Sequence, residues 1–350
     1  MTDTVMRQQP VAKGTNIFAA KGVKWYRLGP VLSRNAVVNI ILGPRGDGKT
    51  FAAKEQAIRN AINKNEQFIY LRRYKTELTA KMAFFDDVMY KFPDYVFSVS
   101  GNEARMKRPG EKKWETIGYF IALSNSQQKK SVPYPRVTLI IFDEFIIDRG
   151  AVHYLPNEVK SFLDFFSTVD RYQDKTRALL ISNTVSVMNP YFVEWKIKDD
   201  GVEWWTDPSG FVAVHFIRDT EFSKAVRTTR LGQFIAGTEY GDYAIEAGFI
   251  DNTDALVRLK PASAKYLATI ETKTGIFSVW YDRTPHEYYV QEKRPKAEVF
   301  WTMVPERMDE GKVYIPRNNK ILQVMRTAYS RGKMFFDGPQ ARNSFAGVMV

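Results

Sequence analysis

Eight consecutive residues, GPRGDGKT at positions 43–50, have the spacing of a phosphate-binding loop. Glycines let such a loop wrap closely around phosphates with its N–H groups pointing inward, and the following helix adds its positive end. The β-branched run at 37–42 predicts the strand that must come first, and the one-sided apolar pattern at 51–62 predicts the helix. We therefore predict an ATP site, with Lys49 reaching the β- and γ-phosphates and Thr50 offering its hydroxyl to Mg²⁺. The loop residues expected to bind the nucleotide are Gly43, Pro44, Arg45, Gly46, Asp47, Gly48, Lys49 and Thr50.

A second chemical signal is TLIIFDEF at positions 138–145, where an apolar strand ends in two acids. Asp143 is expected to hold Mg²⁺ at the end of the strand, and Glu144 to polarise the water that attacks ATP. An apolar strand that ends in acids is common by itself, but its place after a phosphate-binding loop favours the catalytic interpretation. The paired Asp-Glu is typical of hydrolysing motors rather than of small-molecule kinases.

Two further polar residues are candidates for the site. One ends the next predicted strand, ALLISN at 178–183, and the other precedes it. Asn183 ends this strand and could contact the γ-phosphate or its water, although turn residues are also common there. Arg171 lies between a predicted helix at 157–169 and the strand. Such an arginine often faces the adjacent subunit in ring ATPases, and the alternative is a solvated arginine.

The elements that must position these residues form an α/β pattern. Buried strands alternate with helices, which predicts a parallel sheet flanked by helices. A helix is expected at 76–91 and a strand pair at 95–123. After residue 222 the pattern changes, and we predict an ATPase domain at 1–222, a helical linker at 223–250 and a smaller α+β domain at 251–350.

Composition narrows the possible partners. Lys and Arg number 51 against 39 Asp and Glu, a net charge of +12 that favours a polyanionic partner. The absence of cysteine excludes disulfides and thiolate zinc sites. The three histidines lack metal-site spacing and are expected to be structural. Neither a membrane-spanning run nor a signal-peptide core is apparent, so a cytoplasmic protein is expected.

Basic segments are candidate nucleic-acid contacts. Short ones follow or precede the predicted strands: RRYK at 72–75, QQKKS at 127–131 and the loop that contains Arg149. Each alone is more typical of a solvated surface than of a phosphate contact. The run at 312–333 is stronger because it carries no acid. Its basic residues are Lys312, Arg317, Lys320, Arg326, Arg331 and Lys333.

With these motifs in place, the sequence resembles the DNA packaging ATPases of phi29-like phages. The resemblance covers about 200 residues and is carried, in order, by EQFIYLRRYK, IFDEF, LPNEV, SNTVSVMNPYF and GTEYG. It implies a P-loop fold of the additional-strand, catalytic-glutamate class (the FtsK-HerA-type, terminase-like motors). It also implies a homo-oligomeric ring of five subunits that translocates double-stranded DNA at the portal vertex of a procapsid in the host cytoplasm, with a packaging RNA as a further candidate partner.

The resemblance also assigns residue roles. Lys49, Asp143 and Glu144 match the nucleotide site, and Arg171 falls at the family's inter-subunit arginine finger. Lys75 matches a basic residue at the subunit boundary. The remaining implied contacts are in loops that would face DNA in the ring pore: Lys129, Lys130 and Arg149. The C-terminal domain resembles an RNase H-like nuclease that has lost its activity, and no paired carboxylates for two metals are apparent after residue 250.

Two other functions share this core. A helicase or other nucleic-acid-remodelling ATPase would show strand separation or a preference for single strands. A capsid- or RNA-binding scaffold could hold ATP only as a structural ligand, but the presence of Glu144 argues against that alternative.

Overall fold

The computed structural model divides the chain into two compact units, Met1–Val185 with Gly201–Ile250, and Ser186–Asp200 with Asp251–Val350. No helix in the described part of the chain is long and apolar enough to cross a membrane. The described residues are 4–5, 23–129, 133–147, 154–183, 189–197, 199, 201–218, 220–238, 241, 257–292, 299–309, 311–330, 333–338, 341–342, 344–345 and 348.

The first unit contains a large sheet whose central strands are all parallel. Its described strands are β1 (Thr4–Val5), β2 (Val38–Gly43), β3 (Gln67–Arg72), β4 (Val96–Ser100), β5 (Glu103–Lys107), β6 (Glu115–Ala122), β7 (Val137–Asp143), β8 (Arg177–Asn183), β9 (Trp204–Thr206) and β10 (Val212–Phe216). Their order is β1-β4-β5-β6-β3-β7-β8-β2-β10-β9. Strands β6 to β10 along this order run parallel, and antiparallel strands extend both sides.

The position of β8 identifies the class of sheet. It lies between β2, which leads into the phosphate-binding loop, and β7, which ends in the two acids. An extra strand at this position is what the additional-strand class requires. The predicted α/β fold with a mainly parallel sheet is therefore confirmed.

Helices lie between the strands along the chain. The described helices are α1 (Gly29–Leu32), α2 (Lys49–Lys64), α3 (Ala83–Asp86), α4 (Glu158–Asp170), α5 (Pro190–Trp195), α6 (Glu221–Arg227), α7 (Arg230–Ile235) and α8 (Lys320–Ser330). Of these, α5 and α8 belong to the second unit. In α2, buried Ala53, Ala57 and Ala61 recur every four residues and face the core. Their small side chains let α2 lie close to the strands that it follows.

The single helix predicted at 76–91 is wrong. The chain there makes three short helical turns, Lys75–Leu78, Ala83–Asp86 and Met89–Lys91. Adjacent Phe84 and Phe85 are both buried, and their rings stack on those of Phe68 and Phe97 respectively. Both residues lie on α3, where successive side chains point about 100° apart, so the two rings pack in different directions. The helical turns of this segment are therefore short and separate, and its aromatic side chains pack into the core.

The second unit contains a six-stranded sheet. Its described strands are β11 (Lys265–Glu271), β12 (Ile276–Asp282), β13 (Glu287–Gln291), β14 (Phe300–Thr302), β15 (Val313–Tyr314) and β16 (Met334–Phe336). The order is β15-β14-β11-β12-β13-β16. The strands β11 to β13 are antiparallel, whereas β14 lies parallel to β11 and β15 parallel to β14. β16 lies parallel to β13, and the RNase H-like resemblance of this unit stays a prediction.

The compact units differ from the predicted domains at two places. Residues 186–200 group with the second unit, and residues 223–250, predicted as a linker, group with the first. The described part of 223–250 contains most of α6 and all of α7, joined and followed by turns. Its role as a linker stays a prediction.

Candidate nucleotide site

The phosphate-binding loop connects β2 to α2 through two glycines with left-handed backbones. Gly46 has φ of 88° and Gly48 has φ of 95°. A Cβ at Gly46 would also lie 3.2 Å from the Phe222 ring. These positions require glycine because other residues adopt positive φ only at a cost. The loop therefore has the backbone form that the sequence pattern predicts.

Lys49 opens α2 and is enclosed by its own loop. Its Nζ donates to the carbonyl oxygens of Gly43 at 3.1 Å and Pro44 at 2.6 Å, and to Asp47 Oδ1 at 3.0 Å. Burial lowers the pKa of Lys49, and the charge of Asp47 opposes that shift. The amine is thus at the loop but bonded to protein oxygens.

The two predicted magnesium ligands are brought together across the sheet. The Thr50 hydroxyl donates to Asp143 Oδ1 at 3.0 Å, and the Tyr70 hydroxyl donates to Asp143 Oδ2 at 2.7 Å. Burial and the Asp143 charge raise the pKa of Tyr70, so it remains a donor. Hydroxyl and carboxylate oxygens are ligands that Mg²⁺ prefers, and such sites take few ligands from the protein. Consistent with this, no described cluster of three or more His, Cys, Asp or Glu could hold a metal by itself.

Glu144, the predicted catalytic acid, follows β7 in a left-handed conformation with φ of 55°. Its side chain is 63% exposed and accepts a hydrogen bond from Arg72 at the end of β3. The same guanidinium lies 3.3 Å from Glu77 and 3.7 Å from Asp143. Burial alone would lower the pKa of Arg72, but the surrounding negative charges, that of Glu144 foremost, raise it above its usual value. One arginine therefore contacts three converging carboxylates, and its single positive charge offsets part of theirs.

Arg73, the residue after Arg72, binds the segment that follows β7. Its Nε and Nη2 donate to both carboxylate oxygens of Glu158, at 2.7 and 2.9 Å. It also donates to the carbonyl oxygens of Glu144, at 3.4 Å, and Phe145. Both charged side chains are almost fully buried, and Glu158 Oε2 additionally accepts from the backbone N–H of Leu155. This pair holds the backbone that carries Glu144.

A cavity of about 830 Å³ opens beside the loop. Asn183, at the end of β8, lines it together with Ser182, opposite the loop residues. Aromatic side chains line another part, and this surface suits a planar base. They are Trp25, Tyr26, Phe51 and Tyr90.

The segment before β2 is tied to the loop. The backbone N–H of Tyr26 donates to the Asp47 carbonyl oxygen at 3.1 Å. Its hydroxyl pairs with His215 Nδ1 at 3.0 Å, and His215 Nε2 pairs with Glu203 Oε1 at 3.1 Å. The His215 ring stacks on Trp204 with centroids 4.0 Å apart. Burial lowers the pKa of His215, which agrees with the structural role predicted for it.

Arg171 lies at the opposite edge of the sheet from the nucleotide site. It follows α4 and precedes the start of β8, whereas Asp143 ends β7, a strand that spans about 20 Å. The Asp170 carboxylate accepts three backbone N–H bonds at 2.8–3.0 Å, from residues 174–176. Arg171, Tyr172 and Asp174 are all left-handed, and the first two are exposed. Arg171 is therefore held on a constrained exposed loop, away from the nucleotide site of its own chain.

The other predicted contacts are separated from Arg171 or fall outside the described residues. Lys75 is exposed just after β3, at the nucleotide edge, so the structure does not bring the two predicted inter-subunit residues together. Lys130 and Arg149 lie outside the described residues, as does the side chain of Lys129. In the basic run of the second unit, Lys312 pairs with Glu271 and Asp309, and Lys333 with Glu287.

Known proteins resemble this chain over most of its length. Residues 21–348 match the Podovirus DNA encapsidation protein (Gp16) family. The chain belongs to this family. The DNA packaging protein of Bacillus phage B103 is 31% identical over 89% of this chain and 96% of its own length. The DNA packaging protein of Bacillus phage PZA is 33% identical over 91% of this chain and 95% of its own length. The predicted resemblance to phi29-like packaging ATPases is thus confirmed.

Solved structures agree with this family. One chain of the bacteriophage phi29 viral genome packaging motor assembly superimposes with a TM-score of 0.66 at 31% identity, covering 93% of this chain and 99% of that one. The crystal structure of the N-terminal domain of the phi29 DNA packaging ATPase gives a TM-score of 0.51 at 35% identity, covering 56% of this chain and 97% of that domain. The family's packaging ATPases therefore share this fold.

The site also contains residues whose roles the sequence did not indicate. Arg72 and Arg73 were visible only as part of a basic segment, and Tyr70 only as a strand residue. Glu158 was visible only near the start of a predicted helix. The signal that could have found Arg73 is its position directly after a buried strand, beside the end of the Asp-Glu strand.

Proposed function

We propose that this chain is an ATP-driven motor that translocates double-stranded DNA through a portal into a procapsid. The observation that carries the proposal is the Thr50–Asp143 contact, which brings the phosphate-binding loop against the Asp-Glu strand end, with β8 between their strands. The similar proteins from phages B103 and PZA are DNA packaging proteins. In this proposal the chain acts in the host cytoplasm and transiently at the portal vertex.

The chemistry follows from the positions of the side chains. Thr50 and Asp143 would hold Mg²⁺, which neutralises phosphate charge when it is bound. Glu144 polarises the attacking water, and its exposed carboxylate lines the cavity beside Arg72. Lys49 binds the terminal phosphates, and Asn183 contacts the γ-phosphate or the water. These roles make the chain an ATPase.

Arg171 completes the site of a neighbouring subunit in this proposal. Its loop is exposed and lies at the far edge of the sheet, so it suits a contact in trans within a homo-oligomeric ring of five subunits. Arginine fingers contribute about 10³ to 10⁵ in rate. Lys75 at the nucleotide edge would lie at the subunit boundary. Phosphates of the DNA would be contacted by Lys129, Lys130 and Arg149, and a packaging RNA is a further partner.

The second unit is proposed to bind nucleic acid or the vertex without cutting DNA. Its described buried acids already have partners. Glu271 pairs with Arg307 and Lys312, and Glu287 with Arg258 and Lys333. Asp282 accepts from the Ser263 hydroxyl at 2.5 Å. In this proposal these acids stabilise the unit through their partners and do not serve as ligands of a two-metal site.

The test measures ATP hydrolysis by the full chain on portal-bearing procapsids with duplex DNA. Lys49→Ala and Arg171→Ala are each expected to abolish turnover, and Glu144→Gln to bind ATP without hydrolysing it. Mixed rings of Arg171→Ala and Lys49→Ala chains should recover hydrolysis, because each supplies what the other lacks. Full activity of Arg171→Ala rings would remove the finger role, and strand displacement without packaging would favour a helicase.

A further inference from the structure

Asp47 is an acidic residue at a position of the phosphate-binding loop where the general motif specifies no side chain. Asp47 precedes Gly48 and Lys49, and only 3% of it is exposed. Its Oδ1 accepts from the backbone N–H of Lys49 at 3.3 Å and from Lys49 Nζ at 3.0 Å. Its Oδ2 is buried without a hydrogen-bond partner among the described residues. A carboxylate thus lies within a loop whose purpose is to bind anions.

The hydrogen-bonding capacity of Lys49 shows what this carboxylate does. An ammonium has three N–H donors. Two of them point to the carbonyl oxygens of Gly43 and Pro44, and the third points to Asp47. The amine therefore has no donor left for a phosphate unless one of these partners is released.

Asp47 is the partner that a phosphate must replace. A terminal phosphate of a bound nucleotide is recognised in such loops by the lysine amine and by backbone N–H groups at the start of the helix. Asp47 Oδ1 now accepts from one group of each kind, both belonging to Lys49. Its oxygen bears the same negative charge and uses the same donors as a phosphate oxygen.

We propose that Asp47 is a built-in competitor of the nucleotide's β- and γ-phosphates, which occupies the Lys49 donors until ATP or ADP displaces it. This rests on the proposed function, since it requires that the loop bind a nucleotide. Displacement leaves the carboxylate buried near phosphate charge, so Asp47 lowers affinity for di- and triphosphates. Burial lowers the pKa of Lys49 and raises that of Asp47. The charge of each residue opposes the pKa shift of the other.

Replacing the carboxylate with a neutral side chain should strengthen nucleotide binding. Asp47→Asn keeps the size and one acceptor oxygen but removes the charge. Because a charged hydrogen bond is worth more than a neutral one, the Kd for ADP should fall about tenfold. The Kd for AMP, which has no β-phosphate, should not change. AMP is measured by competition against a fluorescent ADP, and ADP by calorimetry, on the full chain.

Three controls make the outcome decisive. Asp94→Asn removes the same charge from an exposed position and should leave the Kd for ADP unchanged. In a Lys49→Ala background, Asp47→Asn should tighten ADP binding less than it does in the unmodified chain, because the amine donor is gone and only the backbone N–H of residue 49 remains to be competed for. Asp47→Ser, which is small and neutral, should reproduce the gain if the asparagine variant folds poorly.

The results separate this inference from the proposed function. Failure of the unmodified chain to bind ADP would contradict the proposed function. Measurable binding by that chain, with Asp47→Asn and Asp47→Ser both unchanged or weaker for ADP, would overturn the inference. Equal shifts for ADP and AMP would also overturn it, since they would indicate a general change in the loop.

Discussion

The buried pair of Arg73 and Glu158 allows a stability prediction with a definite sign. Their side chains are 1% and 0% exposed and share two hydrogen bonds. Replacing Glu158 with Gln removes the negative charge and leaves a buried guanidinium without its counter-ion. Breaking a buried pair from one side costs about 3–5 kcal/mol of unfolding free energy, and we expect that range here.

The second substitution should restore stability. Adding Arg73→Met to Glu158→Gln removes the uncompensated charge, while the glutamine can still accept from the Leu155 N–H. The main remaining loss is the donor to the Phe145 carbonyl oxygen, and an unsatisfied buried acceptor costs about 1–3 kcal/mol. The double variant is therefore expected to be more stable than Glu158→Gln alone.

Urea denaturation of the full chain, followed by tryptophan fluorescence, measures these differences. The matched control is Asp174→Asn, which breaks a surface pair with Arg177 whose acid is 76% exposed. Such a pair contributes at most about 1 kcal/mol. If Arg73→Met destabilises the Glu158→Gln protein further, the uncompensated charge is not the source of the loss and the reasoning is refuted.

Further predictions concern the site and its surroundings. Arg72→Gln removes the cation beside the Glu144 carboxylate and its neighbours. We expect kcat to fall at least about tenfold with little change in the Kd for ADP. An equal loss of kcat and of ADP affinity would contradict a role at Glu144. The pKa of His215 is lowered in the folded chain, so the unfolded chain binds the proton first. Stability should therefore fall as pH drops below about 6.5, level off below the folded pKa, and lose this dependence in His215→Gln. Gly46→Ala should weaken ADP binding because its φ is 88° and its Cβ would press on Phe222; unchanged affinity would show that the loop adapts.

The fold around the nucleotide was predictable because its signals are local. Buried apolar runs predicted β2, β7 and β8 to within one residue. The loop glycines and the acids after β7 were predictable for the same reason, since their chemistry requires adjacent residues. Helix α2 followed from its apolar period.

The remaining features depend on contacts between distant residues. Arg73 was grouped with solvated basic residues, because charge patterning cannot reveal that Glu158 meets it from 85 positions away. The turns at 75–91 depend on where Phe84 and Phe85 find aromatic partners. The general motif allows any residue at the position of Asp47. The proposed competition with phosphate follows only from the direction in which the Asp47 side chain points.

Strand β8 has a mechanical consequence. It is hydrogen-bonded along its length to β7 on one side and β2 on the other, so it can neither stretch nor buckle independently. Asn183 forms one end, beside the nucleotide cavity, and the loop of Arg171 is attached to the other. Sliding β8 alone would break both ladders, so a displacement imposed at one end would reach the other only together with β7 and β2. In a ring, β8 would then let the nucleotide bound in one subunit set the position of the arginine that contacts the next subunit.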